Sequence, residues 1–158
     1  MKQGEKVGVV GRTGAGKSTI CLSISRIVEI FEGAIQIDGI DIQKIPLKEL
    51  RRRITVIPQD PTMFTGSLRF NLDPQGTRDD LEITDLLIKA QLDNILYSSQ
   101  DGLDQQITEN GANLSSGERQ LICICRAILR KSKVVILDEA TANIDMVTEQ
   151  KIQELITS

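Results

Sequence analysis

Residues 7–19 read VGVVGRTGAGKST, and the fold turns on how that stretch is assembled. Val7 to Val10 is a short run rich in β-formers, and Gly11 to Gly16 is a glycine-rich loop. Beyond it Ile20, Ile24, Ile27 and Phe31 recur at helical spacing, which predicts a helix running on to Phe31. Strand, glycine loop and helix in that order predict an α/β fold. The loop meets the pattern G-x-x-x-x-G-K-[ST] through Gly11, Gly16, Lys17 and Ser18. Glycines let the backbone curl until successive N–H groups point inward around phosphate oxygens. The helix N-terminus adds positive partial charge at the same place. Lys17 can then reach the β- and γ-phosphates of a nucleotide, and the Ser18 hydroxyl can ligate Mg²⁺. A chance glycine-rich turn is the competing reading, and a match of this kind arises by chance in about half a percent of such chains.

A second motif, VVILDE at 134–139, closes four apolar residues on two acids. The apolar run predicts a strand buried on both faces of a parallel sheet. Its end then puts Asp138 at the carboxyl edge, where α/β ligands bind. There Asp138 would hold Mg²⁺ through water, opposite Ser18, and Glu139 would orient or deprotonate an attacking water. Standing alone, the motif would read as a solvated acidic strand end.

LSSGERQ at 114–120 supports two overlapping readings. Ser115 and Glu118 have the S-x-x-E spacing of a helix capping box. The same helix start, with Ser115 and Gly117, could present N–H groups and a hydroxyl to a γ-phosphate. Local physics favours the cap. Because the glycine loop already serves one nucleotide, a second phosphate-seeking helix suggests a nucleotide held by a neighbouring chain.

The remaining pattern is mixed. Ala34 to Asp38 alternates as a half-buried strand that meets a turn at Asp38-Gly39, and Leu47 to Arg53 reads as a short helix. Ile54 to Ile57 reads as a strand stopped by Pro58, and Leu81, Leu86, Leu87 and Leu92 mark a helical lobe, inserted or appended. Ser115 to Arg130 reads as a strong helix with Leu121, Cys125 and Ile128 on one stripe. The basic run KELRRR, 48–53, reads as a solvated helix end. Thr62 to Phe70 carries two phenylalanines and a methionine, for which core packing is one fair reading.

Composition sets the outer bounds. The 158 residues are one domain's worth, 40% apolar and 26% charged. There is no histidine, which excludes imidazole metal ligation and any Ser-His or Cys-His nucleophile pair within these residues. Aromatics are 3% and the net charge is −3, so no nucleic-acid surface is expected. Any anion site must therefore be local. Cys21, Cys123 and Cys125 lack metal-finger spacing and read as free thiols. The longest apolar run falls far short of the roughly 20 residues of a membrane span.

Taken together, GRTGAGKST, Gln59 after a strand, LSSGERQ and VVILDEATANID stand in the order of an ABC transporter nucleotide-binding domain, and nearly all 158 residues resemble one. IPQDPTMFTGSLRFNLDP at 57–74 and LDQQITENGANLSSGERQL at 103–121 resemble the C subfamily. They are most similar to the second such domain of multidrug resistance-associated proteins. The resemblance implies a P-loop NTPase with a mainly parallel sheet core, a small β-rich edge lobe and an inserted helical subdomain carrying the signature motif. It implies that Gly11, Arg12, Thr13, Gly14, Ala15, Gly16, Lys17, Ser18 and Thr19 form the Walker A loop around ATP. Gln59 would touch Mg²⁺ and the attacking water and sense the transmembrane domains. Ser115, Ser116, Gly117 and Glu118 would be the signature, reaching ATP on a second nucleotide-binding domain. Asp138 would be the Walker B aspartate, Glu139 the catalytic glutamate, and Ala142 to Asp145 the D-loop across the dimer interface, with Asp145 near nucleotide.

Transport-coupled ATP hydrolysis at the cytoplasmic face of a membrane exporter is what this implies. A nucleotide-sensing domain of a channel-type protein or a non-transport ABC ATPase are the alternatives. The stretch from Lys17 to Asp138 holds no sustained heptads, which weighs against the coiled-coil ATPases. The family pattern usually has Gln where this chain has Glu118. It also has an adenine-stacking aromatic upstream of Walker A and a switch histidine after the D-loop. Neither occurs here, so residues 1–158 are expected to be a single ATP-binding domain truncated at both ends, with weak ATP binding and little hydrolysis alone.

Overall fold

The computed structural model describes residues 1–2 and 4–138. Helix α1 spans Lys17–Ile24, starting directly after Gly16 at φ 89°. It ends a full turn and more before Phe31, against expectation. The Arg26 N–H donates to the Ser23 carbonyl at 3.1 Å and the Ile27 N–H to the Leu22 carbonyl at 2.8 Å. That is a Schellman stop with Arg26 in the left-handed position at φ 50°. Arg26 holds this backbone through its own guanidinium, which donates to the carbonyls of Ile42 and Ile45 at 3.1 and 2.7 Å. Ile27 and Phe31 leave the helix and are exposed.

Strands β1 (Gln36–Ile37) and β2 (Ile40–Asp41) pair antiparallel across Asp38 and Gly39. Both turn residues have positive φ, 52° and 76°, as a two-residue hairpin with right-handed strand twist requires. Helix α2 occupies Leu47–Arg53 and runs into strand β3 (Ile54–Ile57), both as the sequence predicts. The basic run is only partly solvent-facing. Arg52 and Arg53 bridge Glu49 at the surface, whereas Arg51 donates to the Ser25 and Arg26 carbonyls at 3.2 and 2.9 Å. Arg51 thus satisfies acceptors at the end of α1 and locks α2 to it.

Farther along, strand β4 (Gly66–Ser67) leads into α3 (Leu68–Leu72), then α4 (Asp80–Lys89) and α5 (Asp93–Tyr97). Strand β5 (Gln106–Ile107) pairs antiparallel with β4, and helix α6 follows at Ser116–Leu129. Ile83 and Leu87 of α4 and Ile122, Ile124 and Cys125 of α6 are fully buried in one large apolar cluster. Each such aliphatic side chain contributes about 1.5–3 kcal/mol. Leu81 is 78% exposed, because the buried face of α4 is set by Ile83 and Leu87. Strand β6 (Val134–Leu137) lies parallel to β3, Ile54 opposite Val134 through Ile57 opposite Leu137. A parallel pair joined across the intervening helices makes the fold mixed α/β.

Two strand expectations need correction. Val7 to Val10 forms no strand: these residues have no ladder partner among the described residues, and Val10 is 97% exposed. Residue type alone did not decide the outcome, since a strand needs a neighbour to take its N–H and C=O groups. Strand β6 is also not covered on both faces, because Val134 and Ile136 pack on the smaller apolar cluster while Val135 and Leu137 are nearly half exposed.

Candidate nucleotide site

The glycine loop curls tightly, with the Ala15 N–H donating to the Arg12 carbonyl at 3.0 Å. Gly14 and Gly16 sit at φ 80° and 89°, in the left-handed region that favours glycine. Lys17 is folded back over the loop, its Nζ donating to the Gly11 carbonyl at 2.9 Å and the Arg12 carbonyl at 3.5 Å. The ammonium is thereby held at the start of the loop, and the residues from Gly11 to Ala15 are exposed.

Strand β6 delivers the acid. Asp138 follows Leu137 directly, and its N–H donates to the Ile57 carbonyl at 3.1 Å, which pins it to the carboxyl end of β3. The Ser18 hydroxyl donates to Asp138 Oδ1 at 3.2 Å. Two oxygen ligands, one hydroxyl and one carboxylate, therefore converge beside a helix N-terminus, a donor set suited to a hard divalent cation that keeps its waters and takes phosphate oxygens. No group of three or more acidic, cysteine or histidine side chains gathers among the described residues, so no all-protein metal cage is found there. Gln59 lies in the bend two residues beyond Ile57, exposed at this same edge of the β3–β6 pair. Cys21, one turn along α1, is half-buried; burial and then the Asp138 carboxylate push its thiol upward.

At the start of α6 both halves of the capping box form. The Glu118 N–H donates to Ser115 Oγ at 3.2 Å, and the Ser115 N–H donates to Glu118 Oε2 at 2.8 Å. Asn94 Nδ2 adds a third bond, to Glu118 Oε1, at 3.1 Å. Burial alone would raise the Glu118 carboxyl, but the bonds from Ser115 and Asn94 outweigh it and hold it below its ordinary value. It is therefore an anion committed to the cap. Among the described residues, the side-chain hydrogen bonds of Ser115 and Glu118 stay within the cap and Asn94, and none reaches the glycine loop. Ser18 and Asp138 are brought together; the Ser115–Glu118 segment is not brought to them. Glu139 and Asp145, with the rest of 142–145, lie outside the described residues.

Sequence reasoning passed over Arg126 and Asn71. Arg126 donates to the Asn71 and Thr62 carbonyls at 2.6 and 3.2 Å, and its guanidinium lies 5.5 Å over the Phe64 ring. The signal was present: a lone cation inside the apolar run LICICRAIL, 121–129. Met63 is buried in the large core, whereas Phe64 and Phe70 are exposed and meet edge to face at 6.3 Å.

A glycine loop, its lysine and a sheet-edge aspartate joined to the following serine define a P-loop nucleotide-binding domain. Comparison with known proteins narrows the class. The family model described as ABC transporter matches residues 1–142, and the chain belongs to that family. ABC transporter C family member 12 of Dictyostelium discoideum is 50% identical over 156 residues, covering 99% of this chain and 12% of that protein. ATP-binding cassette sub-family C member 2 of Rattus norvegicus is 53% identical over 156 residues, covering 99% of this chain and 10% of that protein. Among solved structures, a bacterial Atm1-family ABC exporter with ATP bound superimposes with a TM-score of 0.83 at 30% identity, over 92% of this chain and 26% of that one. The chain thus spans about a tenth of the length of the curated relatives it matches. It is an ATP-binding domain of ABC ATPase type, akin to sub-family C.

Proposed function

We propose that this domain hydrolyses ATP inside a sandwich of two nucleotide-binding domains and so drives export through transmembrane domains of the same transporter, at the cytoplasmic face of a membrane. The observation that carries this is the Ser18–Asp138 contact, which joins the two nucleotide motifs at one point. Ser18 and Asp138 would hold Mg²⁺, with Gln59 at its side, and the ion would supply charge neutralisation on the phosphates. Lys17 would exchange its loop carbonyls for β- and γ-phosphate oxygens. Glu139 would orient the attacking water.

On this reading the β1–β2 hairpin belongs to a small edge lobe, and α3 to α6 form the helical subdomain that carries the signature. The exposed, capped start of α6 would reach ATP on the partner domain, with Asp145 at that interface. The exposed Phe64 and Phe70 rings would receive a helix of the membrane domain. No helix among the described residues is long and apolar enough to cross a membrane, so the spans would be supplied elsewhere.

Glu139→Gln in the full-length protein is the direct test. Trapped ATP with little turnover is expected, and retained hydrolysis would remove Glu139 from its role. A wild-type protein that binds ATP yet turns over almost none would favour the nucleotide-sensing alternative.

A further inference from the structure

Glu118 is a carboxylate in the first turn of α6 with no cationic partner among the described residues. The adjacent cation, Arg119, is engaged elsewhere, its guanidinium donating to the Gly111 and Leu114 carbonyls at 3.3 and 3.1 Å. Neutral donors hold the anion instead. The Ser115 N–H takes Oε2, and Asn94 Nδ2 takes Oε1. A carboxylate can only accept, so the Asn94 amide serves through its nitrogen. The cap bond alone would leave the carboxylate free to swing about Oε2. A second donor, from α5 and 24 positions away, fixes its plane. Next to it, the Glu118 and Arg119 N–H groups are taken by Ser115 Oγ and the Ser115 carbonyl. Those of Ser116 and Gly117 meet no acceptor among the described residues. Two open donors therefore stand beside a negative charge, and an incoming phosphate would meet both.

We propose that Asn94 is a positioning residue, which holds the Glu118 carboxylate toward α5 and so keeps the Ser116 and Gly117 N–H groups available to the γ-phosphate of an ATP held by the partner domain. The inference rests on the reading that this helix start reaches a partner's ATP; the tie between Asn94 and Glu118 stands on its contacts alone. Released from Asn94, the carboxylate would become a mobile like charge beside the phosphate. The γ-phosphate is present in bound ATP as well as in the transition state, so the penalty falls on binding rather than on the chemical step.

The test uses the full-length protein with Asn94→Ala, and with Asn94→Asp combined with Glu118→Gln, which rebuilds the bond with donor and acceptor exchanged. Expected for Asn94→Ala is a rise in KM for ATP on the order of fivefold with kcat little changed. Inhibition by ADP, which lacks the γ-phosphate, should stay near wild type. The exchanged pair should bring KM back to the wild-type value or below it. Hydrogen exchange over residues 115–118 should accelerate in Asn94→Ala and recover in the exchanged pair. Unchanged exchange there, an unchanged KM, a KM still raised in the exchanged pair, or kcat falling together with thermal stability would overturn the proposal. If wild-type protein turns over no ATP, the proposed function fails, and the exchange measurement still decides whether Asn94 holds Glu118.

Discussion

The Ser18 hydroxyl donates to Asp138 at 3.2 Å although 120 positions separate the two residues. Ser18 lies in the first turn of α1 after the glycine loop, and Asp138 follows β6, fixed at the end of β3 by its N–H bond to the Ile57 carbonyl. Asp138→Asn should raise the Mg²⁺ concentration needed for half-maximal ATP hydrolysis by about 10–100-fold, because the carboxylate orients the ion's surroundings. Metal-free nucleotide binding, measured with a fluorescent ATP analogue, should be nearly unchanged. An equal loss in both measurements would show that Asp138 holds the loop rather than the ion.

Glu118 links pH to stability. Its folded carboxyl titrates below its unfolded value of about 4.3, so the cap is fully stabilising above that value and weakens as pH falls through the lower, folded one. Glu118→Ala should destabilise the protein by about 1 kcal/mol at pH 7. Urea melts should show that gap closing in acid. Glu118→Gln retains an acceptor for the cap while removing the charge. If that charge opposes a partner's phosphate, turnover at the partner site should rise in the assembled protein.

Gly111 admits no side chain. A Cβ there would stand 2.7 Å from Met63 Cγ and 2.9 Å from Arg119 Cδ, at φ 66°. Gly111→Ala should cost about 1–3 kcal/mol in a denaturant titration. Adding Met63→Ala should relieve the crowding but not the backbone strain, so the double variant should fall short of additive loss. Full additivity would separate the two sites.

The three thiols should react in a fixed order. Cys125 is fully buried and pushed up to about 12, and Cys123 is buried and also raised. Cys21 is the half-buried one, raised by burial and then by Asp138. Peptide mapping after maleimide treatment of the folded protein should find label at Cys21 first, with a rate that climbs as pH rises. Asp138→Asn should speed that labelling, since a nearby negative charge opposes the thiolate. Faster labelling of Cys125 would contradict its burial.

Short-range chemistry was legible in the sequence, and partner-dependent structure was not. The glycine loop, the Asp38-Gly39 turn, α2, β3 and the Ser115–Glu118 box all follow from residues within a few positions of one another. The stop of α1 escaped because it uses Arg26, a non-glycine residue whose left-handed backbone is held by carbonyls of Ile42 and Ile45. Arg51 reads as solvated from sequence because its acceptors, the Ser25 and Arg26 carbonyls, lie in the stop just beyond a different helix. Val7 to Val10 has strand chemistry, but pairing is a property of two segments. Both motifs name the same ion, which sets Asp138 opposite Ser18, but the direct hydrogen bond between them does not follow from either motif.

The apolar interior divides unevenly, and that division has a thermodynamic reading. Among the described residues the core around α6 gathers eighteen buried side chains, whereas Ile42, Leu50 and Ile54 alone are buried in the cluster beside α1 and β6. Among the described residues, the phosphate loop thus adjoins the smaller of the two cores. A ligand that binds only the folded form adds RT ln(1 + [L]/Kd), about 2.7 kcal/mol at a hundredfold excess over Kd. ATP would then act as a missing piece of interior for that smaller core, and nucleotide occupancy and local folding would rise and fall together.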